Sequence, residues 1–274
     1  MEIGYLGPAG SFSHMAAYLY SQNSRLVPLK TFTDIIQGVE EKEIDEGILP
    51  IENSTEGAVT QVMDSLMKTR ISTIRGEVIL KIEHCILSDA SSVEEIRHIY
   101  SHHQAIQQCR DFFNINYPHI SLHSCDSSSS ACMVVKEMGN QYGAIANTYA
   151  AKIHKLKILK CGIQDNNFNQ TRFIIIGGRK TIVTGNDKTS IVFSFHNDYP
   201  GSLYLVLKAF ADRGINLTRI ESRPAKTEMG KYVFYIDFIG HKDNEMVMKV
   251  FEDISIYVNY FKVLGSYPIG ITYE

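Results

Sequence analysis

Residues 2–13 read EIGYLGPAGSFS. Glu2–Leu6 is a short apolar run of the kind that forms a buried strand. The glycines and proline after it make a turn, and Ser11 is placed to cap a helix beginning at Phe12. This strand–turn–helix unit recurs along the chain. Thr33 is placed to cap a helix from Asp34 to about Lys42, and Gly47–Ile51 reads as a strand entering the loop Glu52–Gly57. Val59, Val62, Met63 and Leu66 then mark one face of a helix. Strands are expected around 77–86, 99–101, 120–123, 142–146, 157–159 and 172–176. Helices are expected at 103–113, 129–138 and 148–154. Such alternation implies an α/β domain with mostly parallel sheets.

The rhythm then changes. Residues 177–188, GGRKTIVTGNDK, are mostly polar with three glycines, which fits an interdomain linker. Beyond it, Ser190–His196 reads as a strand, and Pro200-Gly201 turns into a helix carrying Leu203, Val206, Leu207, Phe210 and Ala211 on one face. Strands Asn216–Pro224 and Tyr232–Gly240 flank a hairpin turn at Glu228–Gly230. Asp243 is placed to cap a second amphipathic helix, and Tyr260–Ser266 is the last strand. The order βαββαβ is that of a ferredoxin-like sandwich.

Composition narrows the function. Of 274 residues, 44% are hydrophobic and 21% charged, as in an ordinary soluble domain. A net charge of −3 and the lack of long basic runs argue against nucleic acid as the main partner. No run is long and apolar enough for a bilayer, and the N-terminus lacks the features of a secretory signal, so a cytoplasmic location is expected. The five cysteines, at 85, 109, 125, 132 and 161, are odd in number and show no C-x-x-C spacing. Reduced thiols are therefore expected.

Five segments place small polar residues where a strand meets a helix or loop, the edge at which open α/β sheets bind ligands. They are Gly7–Ser13, Pro50–Ser54, Ser101–Gln104 with Gln108, Ser128–Ser130, and Asn169–Phe173. Helix N-termini with hydroxyls receive anions, and an arginine adds a carboxylate fork, so the set suits a small polyanion. Taken singly, each also reads as a turn, a cap or a strand start. The Gly4, Gly7, Gly10 spacing is not a dinucleotide fingerprint. His98, His102 and His103 lack a nearby carboxylate to complete a metal set, and Cys109 falls at a helical core position beside Phe112 and Phe113. No metal is expected.

Together these segments resemble the prephenate dehydratase family. Its Gly-Pro-x-Gly-Thr-Phe-Ser motif corresponds to Gly7–Ser13, with Ser11 in place of threonine. Its Val-Pro-Ile-Glu-Asn-Ser motif corresponds to Leu49–Ser54, its Tyr-Ser-His-x-Gln motif to Tyr100–Gln104, and its Asn-x-Thr-Arg-Phe motif to Asn169–Phe173. A Ser-Thr-x-x-Ala helix start is weaker, with Ser129 at the threonine position. The C-terminal part resembles an ACT domain through Gly201-Ser202-Leu203 and Glu221-Ser222-Arg223-Pro224.

The resemblance implies a two-lobed catalytic domain over 1–180, similar to a periplasmic binding protein, with lobes 1–80 plus 161–180 and 81–160. An ACT regulatory domain over 189–274 follows. Nothing resembles the helical chorismate mutase domain fused to some relatives, and with a first strand at residue 2 none is expected. The implied reaction is decarboxylating dehydration of prephenate to phenylpyruvate in phenylalanine biosynthesis, without a cofactor. Arogenate dehydration is the runner-up, and a binding protein or a purely regulatory amino-acid sensor are readings of other classes.

By the same resemblance Thr171 is the donor to the departing oxygen, with Asn53, Ser101, Gln108 and Glu52 as further catalytic candidates. Ser11, Ser54, Ser129, Asn169, Arg172 and Phe173 would bind substrate. Glu52 could act as an acid or pair with Arg172, and Arg172 could hold a carboxylate or the loop. Phenylalanine would bind at Gly201, Ser202, Leu203, Glu221, Ser222, Arg223 and Pro224, between ACT domains of a homodimer or homotetramer.

Overall fold

In the computed structural model, all residues are described except 72, 180, 197–198, 227–230 and 274. The strands are β1 (Glu2–Leu6), β2 (Arg25–Leu29), β3 (Glu46–Asn53), β4 (Gly57–Ala58), β5 (Thr73–Lys81), β6 (Cys85–Ser88), β7 (His98–His102), β8 (Ser121–Cys125), β9 (Tyr142–Ala146), β10 (Lys157–Cys161), β11 (Gln170–Gly177), β12 (Asp187–Phe195), β13 (Leu217–Pro224), β14 (Tyr232–Ile239), β15 (Val258–Pro268) and β16 (Ile271–Tyr273). The helices are α1 (Phe12–Tyr20), α2 (Phe32–Glu40), α3 (Thr60–Leu66), α4 (His103–Gln108), α5 (Arg110–Asn116), α6 (Ser128–Met138), α7 (Thr148–His154), α8 (Ser202–Ala211) and α9 (Glu245–Ser255). The expected turn at Glu228–Gly230 falls outside the described residues, apart from its flanking strands.

The chain forms two compact units. Unit 1 is Met1–Val62, Val78–Phe173 and Thr272–Glu274; unit 2 is Met63–Glu77 and Ile174–Ile271. This division departs from a sequential boundary near residue 180, because the segment 63–77 is grouped with the C-terminal residues.

Unit 1 contains two sheets. In the first, β1 pairs in parallel with β2 and β3, β4 folds back on β3, and the order continues from β3 to β11. Ile3, Tyr5, Ile48 and Leu49 on its strands and Ile35 and Val39 on α2 are buried in its core. The second sheet has the order β10-β6-β9-β7-β8, parallel among β7, β8 and β9 and antiparallel at β6. One core on it gathers Ile86, Ile99, Ile106, Phe113 and Ile145; another gathers Leu87, Ala131, Cys132, Val135 and Ala150. Both faces of this sheet are therefore covered, as sheets carrying parallel strands require.

Some boundaries differ from the sequence reading for identifiable reasons. Thr31, not Thr33, caps α2, in a reciprocal capping box with Asp34. Asn244, not Asp243, caps α9. The single helix expected at 103–113 breaks at Cys109. There the Asp165 carboxylate accepts the Asp111 and Phe112 N–H groups at 3.1 and 3.0 Å and so caps α5. The expectation of reduced thiols is corrected for one pair: Cys85 and Cys161 form a disulfide, while Cys109, Cys125 and Cys132 are free. Antiparallel pairing of β6 with β10 sets the two directly opposite, a relation that a separation of 76 residues conceals.

In unit 2, four antiparallel strands in the order β13-β14-β12-β15 carry α8 and α9, the ferredoxin-like arrangement. The core joins Ile191, Phe193, Val206, Phe210, Phe238, Val250 and Ile254. The segment 63–70 is fixed to this unit by polar contacts. Lys262 Nζ donates to the carbonyls of Leu66, Met67 and Thr69 at 2.8, 3.1 and 2.6 Å, so an ammonium closes the C-terminal end of α3. Tyr235 donates to the Met63 carbonyl at 3.1 Å. Among the described residues no helix is long and apolar enough to cross a membrane.

Candidate active site

The parallel strands of unit 1 end at a shared cavity of about 390 Å³, within the range of small-molecule sites. The β1–α1 loop supplies Gly7, Gly10 and Ser11. The end of β3 supplies Asn53, the α4 region His102, Gln104 and Gln108, the β8–α6 turn Asp126–Ser129, and the β9–α7 turn Asn147. The segment entering and forming β11 supplies Asn169, Thr171 and Phe173, and His84 precedes β6.

Strand alternation sorts the residues of the last motif. Asn169, Thr171 and Phe173 line the cavity, whereas Arg172 does not and instead lies 3.8 Å from Glu52. Of the two options open for Glu52 and Arg172, the structure displays the mutual pair. Among the described residues the lining contains neither lysine nor arginine.

Hydrogen bonds fix the polarity of the site. Asn53 Oδ1 accepts the backbone N–H groups of Thr55 and Glu56 at 2.9 and 3.1 Å. Backbone N–H groups only donate, so the Asn53 amide cannot be reversed. Its Nδ2 therefore donates to Asn169 Oδ1 and to Thr171 Oγ1, both at 2.8 Å. With its oxygen so engaged, Asn169 turns its own Nδ2 to Gln108 Oε1 at 3.3 Å. Gln108 Oε1 is also 2.9 Å from His84 Nε2. Two results follow. The Thr171 oxygen is already an acceptor, which leaves its hydrogen for an acceptor in the cavity. Gln108 likewise presents its NH₂ group, which reaches Glu56 Oε1 at 3.4 Å.

The serines divide into lining groups and braces. Ser11 lines the cavity, donates to the Leu6 carbonyl at 3.1 Å and caps α1 through the His14 N–H. Ser101 is fully buried and off the cavity. Its one hydrogen serves the Ile145 carbonyl at 2.6 Å, so it receives from Ser128, 3.0 Å away, and orients that lining residue. Ser54 braces the loop instead, donating to the Phe168 carbonyl at 3.0 Å and accepting from Gln170 N at 2.9 Å. Ser129 lines the cavity yet is 1% exposed. Its hydroxyl donates to the Ala9 carbonyl and lies 2.8 Å from His154 Nε2. Asn147 Nδ2 donates to the Gly10 carbonyl at 3.0 Å. Thus α6 and α7 of the second sheet clasp the Gly-Pro turn of the first.

Burial holds the imidazoles of His84, His14 and His154 below their ordinary range, so all three favour the neutral form. His102 faces the cavity while His98 is on β7 beside His123, and the neighbouring histidines of the sequence do not converge. The first turns of α1 and α6 both border the cavity, and helical geometry leaves their N–H groups without intrahelical acceptors. Sequence reasoning missed His84, Asn147 and Asp126. Asn147 had a detectable signal, an Asn before a helix; His84, inside a strand-like run, had none.

The proposed effector residues all lie in unit 2. Gly201, at φ +93°, begins α8, and Ser202 Oγ accepts the Tyr199 N–H at 3.1 Å. Leu203 packs on the apolar core. Glu221–Pro224 lie on β13 at the sheet edge. Arg223 is buried rather than on the surface. Its Nη2 donates to Asp64 Oδ2 at 3.2 Å and its Nε is 3.1 Å from Oδ1.

Comparison with known proteins gives the family. A sequence model of the family "Prephenate dehydratase" matches residues 3–181, and one of the ACT domain matches residues 189–255. The bifunctional chorismate mutase/prephenate dehydratase of Aquifex aeolicus is 38% identical, over 100% of this chain and 75% of that protein. Among solved structures, prephenate dehydratase from Arthrobacter aurescens in complex with L-Phe has a TM-score of 0.88 at 30% identity, covering 98% of this chain and 90% of that one. A protein described as GqqA, a novel type of quorum quenching acylase, has the same TM-score of 0.88 at 27% identity and 98% coverage of both chains. The dehydratase model takes in well over half of the sequence and every residue that lines the cavity, so the chain belongs to the prephenate dehydratase family, a family of carbon–oxygen lyases, and carries an ACT domain on the C-terminal side.

Proposed function

We propose that the unit 1 cavity binds prephenate and expels carbon dioxide and water from it, giving phenylpyruvate. The bond from the ring to its carboxylate breaks, the electron pair moves through the ring, and the hydroxyl on the opposite ring carbon leaves and takes up a proton. The protein must hold a dianion and assist a poor leaving group. Thr171 donates its free hydrogen to the departing oxygen. A threonine hydroxyl is too weak an acid to lose its proton outright, so it acts as a positioned donor or relay. Asn53 and Asn169 hold Thr171 and Gln108 in their donor orientations. The first turns of α1 and α6 receive the carboxylates, and Ser11 holds the start of α1 through its bonds to Leu6 and His14. Ser101, Ser54 and the Glu52–Arg172 pair support these groups from outside the cavity.

The observation that carries this reading is the one-way amide chain that ends with the Thr171 hydrogen unspent. A nucleophilic role for Ser129, beside His154, is opposed by the commitment of that hydroxyl to the Ala9 carbonyl. Phenylalanine acts as a feedback effector through the ACT domain, with the N-terminus of α8 receiving its carboxylate in a homodimer or homotetramer. The test is ultraviolet detection of phenylpyruvate from prephenate, with and without phenylalanine, and with arogenate as the competing substrate. Turnover of arogenate alone would replace the substrate; turnover of neither would overturn the reading.

A further inference from the structure

His84 is outside every motif that carried the site, yet it is 2% exposed and borders the cavity. Its backbone is held on both sides: the His84 N–H donates to Gln164 Oε1 at 3.0 Å, and its carbonyl accepts the Ile163 N–H at 3.2 Å. The next residue, Cys85, is tied to Cys161. The Phe12 ring meets the imidazole edge to face at 5.6 Å. The side chain therefore has little freedom, and among the described residues its one polar contact is Nε2 to Gln108 Oε1 at 2.9 Å, while Nδ1 is buried with no hydrogen-bond partner there.

The polarity already derived fixes what that contact is. Gln108 Oε1 receives Asn169 Nδ2, so it is an acceptor, and His84 Nε2 must carry the hydrogen. Asn169 and Glu56 also hold the Gln108 amide, but through long contacts of 3.3 and 3.4 Å; the short bond is the one from His84. Without it, only these two long contacts oppose a half-turn of the Gln108 amide that would offer its oxygen to the cavity in place of its NH₂ group.

We propose that His84 is a positioning residue for the dehydration. As the neutral Nε2–H tautomer it pins the Gln108 amide so that its NH₂ group faces the substrate. This rests on the reading of Gln108 as a substrate-orienting donor. A bare Nδ1 in a dry setting agrees with a neutral ring, since a proton there would have no acceptor.

The experiment is a double-mutant cycle on the full chain, read as kcat and KM for phenylpyruvate formation, with thermal melts to confirm folding. His84→Phe keeps the ring and removes the donor. It is expected to lower kcat/KM about 10²-fold in the native background and by less than about twofold in Gln108→Ala, because there is then no amide to orient. His84→Gln, whose amide nitrogen can stand near Nε2, is expected to recover activity to within about tenfold of the native chain. An equal loss from His84→Phe in both backgrounds, or none in either, overturns the proposal. A Gln108→Ala enzyme of near-native activity would sink the reading of Gln108 itself, a distinct result that takes the proposal with it. The ¹⁵N spectrum of the unmutated protein gives a check that needs no variant: the His84 ring should carry hydrogen on Nε2 only, and a proton on Nδ1 instead overturns the assignment.

Discussion

Replacing Thr171 by alanine should separate chemistry from structure. The hydroxyl makes one hydrogen bond within the site, from Asn53 Nδ2 at 2.8 Å, and Asn53 keeps its second acceptor, Asn169 Oδ1, at the same distance. The Thr55 and Glu56 N–H groups still orient Asn53, so the chain of amides survives and the cost to folding should be about 1 kcal/mol. The cost to turnover should be larger, because the donor we propose for the leaving oxygen is lost. Loss of one preorganised donor lowers kcat about 10²–10³-fold, or about 2.7–4 kcal/mol, with KM little changed. Asn53→Asp supplies the sharper control. It is nearly isosteric and keeps the acceptor for the backbone N–H groups, but it turns a donor into an acceptor opposite Thr171. The Thr171 hydrogen then points to residue 53 instead of the substrate. We expect Asn53→Asp to lose at least as much kcat as Thr171→Ala, because Asn169 and Gln108 lose their orientation as well, and the double variant to lose little more than Asn53→Asp alone. Steady-state assay of phenylpyruvate formation measures all three. A Thr171→Ala enzyme within about fivefold of native kcat, or strictly additive losses, would refute the polarity argument.

Gly10→Ala should reduce activity more than tenfold, since a Cβ there meets Ser129 Oγ at 2.8 Å and His154 Nε2 at 3.2 Å, and its φ of +87° disfavours a side chain; steady-state kinetics decides it. Lys262→Met should lower stability by about 2–3 kcal/mol, because the carbonyls at the end of α3 lose a charged donor; chemical denaturation would show this as a shifted midpoint. Asp64→Asn should weaken phenylalanine inhibition several-fold while uninhibited kcat holds, because the Arg223 ion pair ties the Glu-Ser-Arg-Pro strand to α3, which begins just after the loop carrying Asn53. Inhibition curves of native form would remove that pair from the coupling.

The sequence made the βα alternation, the βαββαβ order and most of the cavity legible, because those depend on local signals: apolar runs, caps and small polar loops. What it hid depends on pairing in space. Nothing in residues 170–173 says that Arg172 turns away to Glu52 until the strand exists, although alternation, once the strand is granted, already separates Arg172 from Thr171. The Cys85–Cys161 bond needed the register of β6 on β10. The grouping of 63–77 with the ACT fold needed Lys262, Tyr235 and Arg223, all more than 150 residues away. Truncation near residue 185, attractive from the linker alone, would strip these contacts from α3, so point variants of the full chain are the cleaner probe.

The cation-free lining has a mechanistic meaning. Among the described residues bordering the cavity there is no lysine or arginine, and Arg172 is held on the other side of its strand by Glu52. A buried ammonium or guanidinium on the departing carboxylate would stabilise the dianionic ground state, and that stabilisation would vanish as the charge left the carboxylate for the ring and the opposite oxygen. Only interactions that strengthen along the reaction lower its barrier. In the mechanism we propose, neutral amides, hydroxyls and the partial charges of two helix N-termini hold the dianion less tightly, and the Thr171 hydrogen bond gains in strength as negative charge builds on the leaving oxygen. On this argument an added cation is harmful even where it binds substrate well. Asn147→Lys offers no such test, since Asn147 also holds Gly10 and caps α7. Gln104→Lys does, because Gln104 borders the cavity and, among the described residues, its amide bonds only to the exposed Glu56 carboxylate. Tighter KM with kcat lowered is the expected signature; a rise in both KM and kcat would show that ground-state charge pairing is not what the cavity avoids.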